Sequence, residues 1–314
     1  MTDQLMGIEV APLAMSIGAE VSGVDLRQAL NPSVKAALDA AFLEWKVLFF
    51  RDQHLDHAQH VAFAREMGEP TIGHVVFGHI EKFPEVYSVA KFRTAQAHRT
   101  AKAQRPWTGW HTDITAAINP PKASILRGVT IPPYGGDTLW TDLGAAYQGL
   151  SEPLRSFVDR LRGVHRFEAP KGASKVDAYD ESVQRRVMES EHALVRIHPE
   201  TGERILFVSP SFLKSISGLT PRESELLLEL LWEHVVRPEY TVRFKWRSGD
   251  IAMWDNRATA HLAPTDIFQN DYDRQLYRVT LVGDTPVGVD GKSSKALQGE
   301  PILAVEQELV GTVD

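Results

Sequence analysis

Trp110-His111-Thr112-Asp113 sets an imidazole and a carboxylate two positions apart, and the reading of this stretch decides the rest. On a β-strand, side chains at i and i+2 point to the same face, so His111 and Asp113 would project together. Three residues of this kind also occur by chance, as a surface or capping pair. Their meaning depends on what the rest of the chain supplies. His261, far along the chain, offers a second imidazole. Two histidines and one carboxylate on a common face make the facial triad that holds non-haem Fe(II) with open coordination positions.

Working outward, helical periodicity covers residues 33–46, where Val34, Ala37, Leu38, Ala41, Phe42 and Trp45 form a stripe behind Asn31-Pro32. Residues 47–50 are a short apolar strand. Asp56 caps a second helix that runs to Met67 and stops at Gly68. Strands are expected at 86–90, around His111, at 123–131 and at 138–141. Pro132, Pro133, Gly135 and Gly136 turn the chain between the last two. A helical stretch at 143–161 separates this half from the next, and 171–192, polar and weakly periodic, reads as an insertion or lid.

Residues 205–208 are a further strand. Thr220-Pro221-Arg222-Glu223 is a capping box with proline at the first helical position. It opens a helix over 221–236 whose buried side is read as Leu226, Leu227, Leu230 and Leu231. Strands follow at 240–246, 250–254 and 274–282. Two batches of strands split by helical insertions predict a mainly β fold with flanking helices, a sandwich or jelly roll. Residues 1–286 are expected to form one domain, and 287–314 a C-terminal tail, mobile or in contact with another subunit.

Composition narrows the function classes. Of 314 residues, 43% are hydrophobic and 24% charged, as in soluble globular proteins. A formal net charge of −7 argues against general binding to nucleic acid or an anionic membrane. With no cysteine, disulfides, zinc–thiolate sites, iron–sulfur clusters and cysteine nucleophiles are excluded together, which fits a reducing compartment. No run approaches the roughly 18 apolar residues of a membrane span. The N-terminus has no basic region followed by an apolar one, so no signal peptide is expected and a cytoplasmic location is the default.

Residues 86–111 hold Lys91, Arg93, Arg99, Lys102 and Arg105 but no acidic residue. They either steer anions to a site or form a solvated loop. His54, His57 and His60 are read as decoration of an exposed helix start, since no carboxylate or thiolate partner is evident.

Three further stretches carry polar groups at strand ends. Gly135-Gly136-Asp137-Thr138-Leu139-Trp140 puts a hydroxyl on a strand just after a glycine turn. Trp254-Asp255-Asn256-Arg257 ends an apolar strand in a polar cluster, with His261 a short loop away. In Asp273–Thr280, strand alternation puts Arg274, Leu276, Arg278 and Thr280 on one face. Two core-facing arginines are costly unless each meets an anion. Their separation of roughly 13 Å along a strand suits two different anions. If that face meets solvent instead, Tyr277, Val279 and Leu281 are the core side; alternation leaves the choice open.

At this point the chain resembles the taurine dioxygenase/TfdA family of Fe(II)- and 2-oxoglutarate-dependent dioxygenases, from about Ile8 to about Gly283. The resemblance rests on Trp110–Asp113, on 135–140, on Trp254–Arg257 with His261, and on Arg274 with Arg278. Ile17-Gly18-Ala19-Glu20, residues 47–51, His198-Pro199 and the Gly249-Asp250 strand also match. It implies a double-stranded β-helix (jelly roll) core with His111, Asp113 and His261 as iron ligands. It also implies Thr138 and Arg274 as the pair holding the distal carboxylate of 2-oxoglutarate, a role that suits a planar guanidinium. Arg278 takes the place that binds the substrate's anion in sulfonate- and sulfate-using members, and His74 that of a substrate-contacting histidine. Phe167 and Phe207 fall where such members line the pocket.

The implied chemistry consumes O2 and 2-oxoglutarate, yields succinate and CO2, and hydroxylates a substrate carbon. Next to a sulfonate or sulfate ester, the product collapses to an aldehyde plus sulfite or sulfate. Taurine-using members carry a tyrosine and an asparagine where this chain has Phe77 and Trp107. The expectation is therefore a small anionic substrate with a hydrophobic chain, an alkyl sulfate or organosulfonate other than taurine. The alternatives are the same chemistry on a carboxylate substrate, such as an aryloxyalkanoate or an amino-acid derivative, and a non-catalytic metal-binding sensor. A homo-oligomer, dimer or tetramer, is expected.

Overall fold

The computed structural model describes residues 3–5, 7–74, 79–90, 105–167, 187–269 and 271–310. Its elements in the first half are β1 (Asp3–Leu5), β2 (Ile8–Pro12), β3 (Ala19–Ser22), α1 (Pro32–Trp45), β4 (Val47–Phe50), α2 (His57–Met67), β5 (Tyr87–Ala90), β6 (Ala123–Thr130) and β7 (Thr138–Asp142). Then come α3 (Leu143–Gln148), α4 (Glu152–Val158), β8 (Arg162–Phe167), β9 (Met188–Ala193), β10 (Val195–Ile197), β11 (Arg204–Leu206), β12 (Leu213–Ile216) and α5 (Pro221–Val235). The chain finishes with β13 (Thr241–Phe244), β14 (Ile251–Asp255), β15 (Thr259–Leu262), β16 (Gln275–Thr280), β17 (Val287–Gly288), β18 (Lys295–Gln298) and α6 (Val305–Val310). The fold is mainly β with a few helices.

The largest sheet runs β1-β2-β3-β4-β14-β6-β16-β5, antiparallel except where β3 meets β4. Its central strands explain why Val47-Leu48-Phe49-Phe50 and Ile251-Ala252-Met253-Trp254 are unbroken apolar runs: both faces are covered. Leu48, Phe50, Ile251, Met253, Val279 and Leu281 pack under Leu38 and Phe42 of α1 and Phe63 of α2. On the opposite face Phe49, Ala252, Trp254 and Leu276 meet Trp140, Val242 and Phe244 of a second sheet, β13-β7-β15. Phe49 stacks on Phe244 at 4.1 Å and meets Trp140 edge-on at 5.3 Å, so aromatic geometry fixes how the sheets face each other. This settles the face of β16. Arg274, Leu276 and Arg278 lie on the intersheet side, while Tyr277, Val279 and Leu281 lie under the helices, and both sides are inside.

Local signals account for the helix ends. Asn31 Oδ1 accepts from the Val34 N–H at 2.8 Å, and Asp56 with Gln59 and Thr220 with Glu223 form reciprocal capping boxes.

Several expectations need correction. The helical stretch at 143–161 is two short helices, α3 and α4, interrupted at Gly149–Ser151. Helix α5 buries Ser224, Leu228, Leu231 and Val235, whereas Leu226 and Leu230 are about half exposed. Its leucines cover too much of the circumference for sequence to choose the contact face, and packing selects the row spaced 4-3-4. His60 is fully buried, bound to the Ile125 carbonyl at 3.1 Å, and His57 stacks edge-on against Tyr277; only His54 is exposed. Of the lid expected at 171–192, residues 171–186 lie outside the described residues, and 188–192 belong to β9, in the interior of the sheet β12-β8-β9-β18. Past Pro286 the chain returns to this body, β17 pairing with β10 and β18 with β9. Among the described residues no helix is long and apolar enough to cross a membrane.

Candidate active site

β15, at the edge of the second sheet, carries His261 to the intersheet space. There it exchanges two backbone hydrogen bonds with His111, His111 N to His261 O at 2.9 Å and His261 N to His111 O at 2.7 Å. This pair is an isolated bridge rather than the strand expected around His111. The chain leaves it at once, and Ile114 sits at φ 40°, a left-handed conformation unusual for a β-branched residue. The turn brings Asp113 under the two rings, whose centroids are 4.1 Å apart. Asp113 Oδ1 stands 4.0 Å from His111 Nε2 and 4.0 Å from His261 Nε2. All three potential donor atoms lie within 4.8 Å of one another, the one such cluster among the described residues.

The surroundings prepare these groups to bind a cation. His111 Nδ1–H donates to the Gly109 carbonyl at 3.0 Å, which orients the ring with Nε2 toward Asp113. Burial, reinforced by the neighbouring His111, holds the His261 ring well below its ordinary pKa and therefore neutral. Burial alone would raise the Asp113 carboxyl. Arg278, His261, His111 and a hydrogen bond from Ser124 outweigh it and hold the group far below the usual carboxylate range. Ser124 Oγ donates to Asp113 Oδ2 at 2.6 Å; Asn256 Nδ2 donates to Ser124 Oγ at 3.0 Å, and Trp254 Nε1 to Asn256 Oδ1 at 2.9 Å. This relay fixes the carboxylate from the floor of the large sheet. Two imidazoles and an ionised, oriented carboxylate are the donor set an Fe(II) ion takes.

Arg278 Nη1 donates to the other oxygen, Asp113 Oδ1, at 2.6 Å, and its guanidinium lies 5.5 Å over the Tyr87 ring. Its buried Nε has no partner among the described residues. His74 joins Arg278, Asp113, Ile114 and Ile302 around one small cavity, its ring tilted against Tyr87 at 5.1 Å. Burial, with Arg278 nearby, pulls the His74 pKa down to about 3.

Arg274 enters from the other end of β16. Its Nε donates to the Gly136 carbonyl at 3.0 Å, and among the described residues no carboxylate pairs with it. Burial draws its pKa down to about 10, against the pull of Asp266 and Asp137. Gly136, at φ 70°, is where it is because a Cβ there would meet Arg274 Cδ at 2.9 Å. Two residues on, buried Thr138 accepts from Trp246 Nε1 at 2.9 Å, which leaves its own proton to donate elsewhere. A buried guanidinium with no carboxylate partner among the described residues, and a hydroxyl proton two residues beyond the glycine it contacts, are chemically suited to a carboxylate.

The structure thus brings together His111, Asp113, His261, His74 and Arg278, with Thr138 at the start of β7 and Arg274 just before β16. It does not bring in the others equally. Trp107 faces Trp232 of α5 at 6.2 Å and lines a surface groove with Leu226 and Leu230. Phe207 is wholly buried, stacked on His165 at 5.4 Å. Phe167 reaches the site through Phe212, which is 5.9 Å from it and 6.4 Å from the His111 ring. Phe77 lies outside the described residues, as does most of the basic stretch, whose Arg105 pairs with Glu229. Sequence reasoning missed Ser124, Phe212 and Ile302, none of which belongs to a recognisable pattern. Asn256 was quoted only as part of a polar strand end.

Facing sheets that hold two histidines and a carboxylate at one end of their interior, with part-buried Arg278 on a facing strand and buried Arg274 just before it, define a non-haem metal oxygenase. The chain belongs to the taurine catabolism dioxygenase TauD, TfdA family, whose model matches residues 9–280. It is 42% identical over 296 residues to an alpha-ketoglutarate-dependent sulfate ester dioxygenase of Pseudomonas putida, spanning 92% of this chain and 94% of the relative. An alkylsulfatase of Acinetobacter baylyi is 35% identical, spanning 96% of this chain and 93% of that protein. A crystal structure of a taurine dioxygenase from Burkholderia xenovorans superimposes with a TM-score of 0.84 at 62% identity, covering 94% and 96% of the two chains.

Proposed function

We propose that this protein hydroxylates the carbon next to the anionic group of an alkyl sulfate or organosulfonate. It is a 2-oxoglutarate-dependent dioxygenase, using Fe(II), 2-oxoglutarate and O2. His111, Asp113 and His261 would hold the iron, and Thr138 with Arg274 the distal carboxylate of 2-oxoglutarate, on a double-stranded β-helix core. The bound iron and cosubstrate supply the oxidising power; the chain's residues bind, orient and exclude water. The observation that carries the substrate reading is Arg278, a part-buried guanidinium whose buried Nε has no partner among the described residues, in the same cavity as Asp113 and His74. A sulfate or sulfonate accepting from Arg278 would set its neighbouring C–H bond beside the metal face. Replacing that hydrogen by hydroxyl and breaking the adjoining bond to the anionic group releases an aldehyde with sulfate or sulfite.

The apolar residues beside this cavity, Ile114, Phe167, Met188, Phe212 and Ile302, favour a hydrocarbon chain on the substrate. Trp107 lines a different groove, and Phe77 lies outside the described residues. We place the enzyme in the cytoplasm, consistent with its lack of cysteine. Succinate formation over alkyl sulfates, taurine and aryloxyalkanoates tests the reading. Medium-chain alkyl sulfates should be the best substrates, and Arg278→Ala should abolish the preference for sulfate esters. Preferred turnover of taurine or of an aryloxyalkanoate would overturn it.

A further inference from the structure

Ile302 is only 4% exposed although it lies in the weakly patterned chain beyond Pro286. Contacts from separate walls of the active-site cavity hold it there. Asn119, in the loop that follows Asp113, clamps both backbone groups of Ile302: Nδ2 donates to its carbonyl at 2.9 Å, and Oδ1 accepts its N–H at 2.8 Å. On the other wall, Thr71 forms an antiparallel bridge with Ala304, and the Val305 N–H donates to the Pro70 carbonyl at 2.9 Å. Pro70 and Thr71 begin the segment that carries His74. At the rim, Arg65 of α2 pairs with Glu306 of α6 at 2.7 Å. The short run 302–306 therefore spans from the Asp113 loop to the His74 segment.

The Ile302 side chain lines the cavity beside Asp113 and Arg278 and packs with Ile114 and Met188. An aliphatic group gives no hydrogen bond to a buried carboxylate or guanidinium, and its presence makes their burial more costly. It is, however, what a hydrocarbon chain would meet once its anionic head accepts from Arg278. We infer that residues 302–306 are a strap closing the substrate cavity, that Ile302 is the part of its wall that sets substrate size, and that Asn119 is the positioning residue that seats it. This rests on the substrate class proposed above.

The test uses Ile302→Ala and Ile302→Phe in the full-length, iron-loaded enzyme. Straight-chain alkyl sulfates, alkyl sulfonates and aryloxyalkanoates of graded size are assayed for succinate, and their dissociation constants are measured without O2. Ile302→Ala should move the size optimum upward and Ile302→Phe downward, changing the long-to-short ratio of kcat/KM by about tenfold or more, the scale of a single methylene in an apolar pocket. The dissociation constants should shift in the same opposite senses. Asn119→Ala should speed hydrogen exchange at the Ile302 and Val305 amides and flatten the size profile, which a purely structural loss would lower uniformly. If aryloxyalkanoates are turned over in preference to both sulfur-containing classes, the substrate reading fails, while the strap stands or falls on the size profile within that class. Unchanged ranking in both Ile302 variants overturns the strap, and no succinate from any class overturns both.

Discussion

Alanine at Gly136 would place a methyl carbon 2.9 Å from Arg274 Cδ and 3.0 Å from its Nε, with Ile267 Cδ1 at 3.3 Å. Carbon atoms prefer about 3.5–4.0 Å, so the arginine must withdraw by several tenths of an ångström. The residue also sits at φ 70°, where a side chain costs about 1–2 kcal/mol. Gly202 offers the matched control: it lies at φ 74°, and a Cβ there meets nothing within 4 Å. Gly202→Ala and Gly136→Ala should therefore lose similar unfolding stability, and only the second should move Arg274.

If the guanidinium holds the distal carboxylate of 2-oxoglutarate, its displacement forfeits roughly one hydrogen bond to a charged group, about 1.5–3 kcal/mol. That is a rise of roughly tenfold to a hundredfold in the dissociation constant of 2-oxoglutarate. Anaerobic titration of the Fe(II) protein, followed by its visible charge-transfer band, reads that constant; urea unfolding reads the stability. Unaltered 2-oxoglutarate affinity in Gly136→Ala, alongside the expected stability loss, would refute the role given to Arg274.

Ser124→Ala removes the 2.6 Å hydrogen bond to Asp113 Oδ2 and should weaken Fe(II) binding about 10- to 100-fold, measured by competition with a chelator. Arg257 grips Asp255 through Nε and Nη2 at 2.9 and 2.6 Å, with His198 on the same carboxylate at 3.1 Å. Arg257→Ala strands a buried charge and should destabilise the fold by about 3–5 kcal/mol in denaturant unfolding. His60 gives a pH prediction: burial, with Arg127 nearby, lowers its pKa from 6.5 to about 3, so the folded state prefers the neutral ring. Its contribution is complete above about pH 6.5 and is lost as the pH falls toward about 3, by about 1.4 kcal/mol per pH unit. His60→Gln, which keeps a donor for the Ile125 carbonyl, should reduce the acid-side slope of stability by nearly one proton, read from urea midpoints between about pH 5 and 7.

Much of the architecture was legible because it obeys short-range rules. The caps at Asn31, Asp56 and Thr220 act within a turn of their own helices, and the apolar runs at 47–50 and 251–254 announce strands covered on both faces. The face of α5 was not legible, since leucines on most of its circumference leave the choice to whatever packs against it. Nor was the bridge at His111, where the strand argument gave the right neighbours through a different backbone: one bridge, then a left-handed Ile114.

The residues proposed to carry the site's chemistry, His111, Asp113, His261, Arg274 and Arg278, announce themselves in sequence because metal and anion binding demand particular functional groups. Their support does not. Serine, glycine and isoleucine are chemically unremarked until folding sets Ser124 against Asp113, leaves room at Gly136 for a guanidinium, and returns the far end of the chain to lay Ile302 in the cavity. The sequence by itself determined the donor groups and the local elements that carry them. Only folding settles which faces are buried, which oxygen of Asp113 meets Arg278 and which residues wall the cavity, because those depend on contacts such as Asp113–Arg278 and Asn119–Ile302, 165 and 183 positions apart.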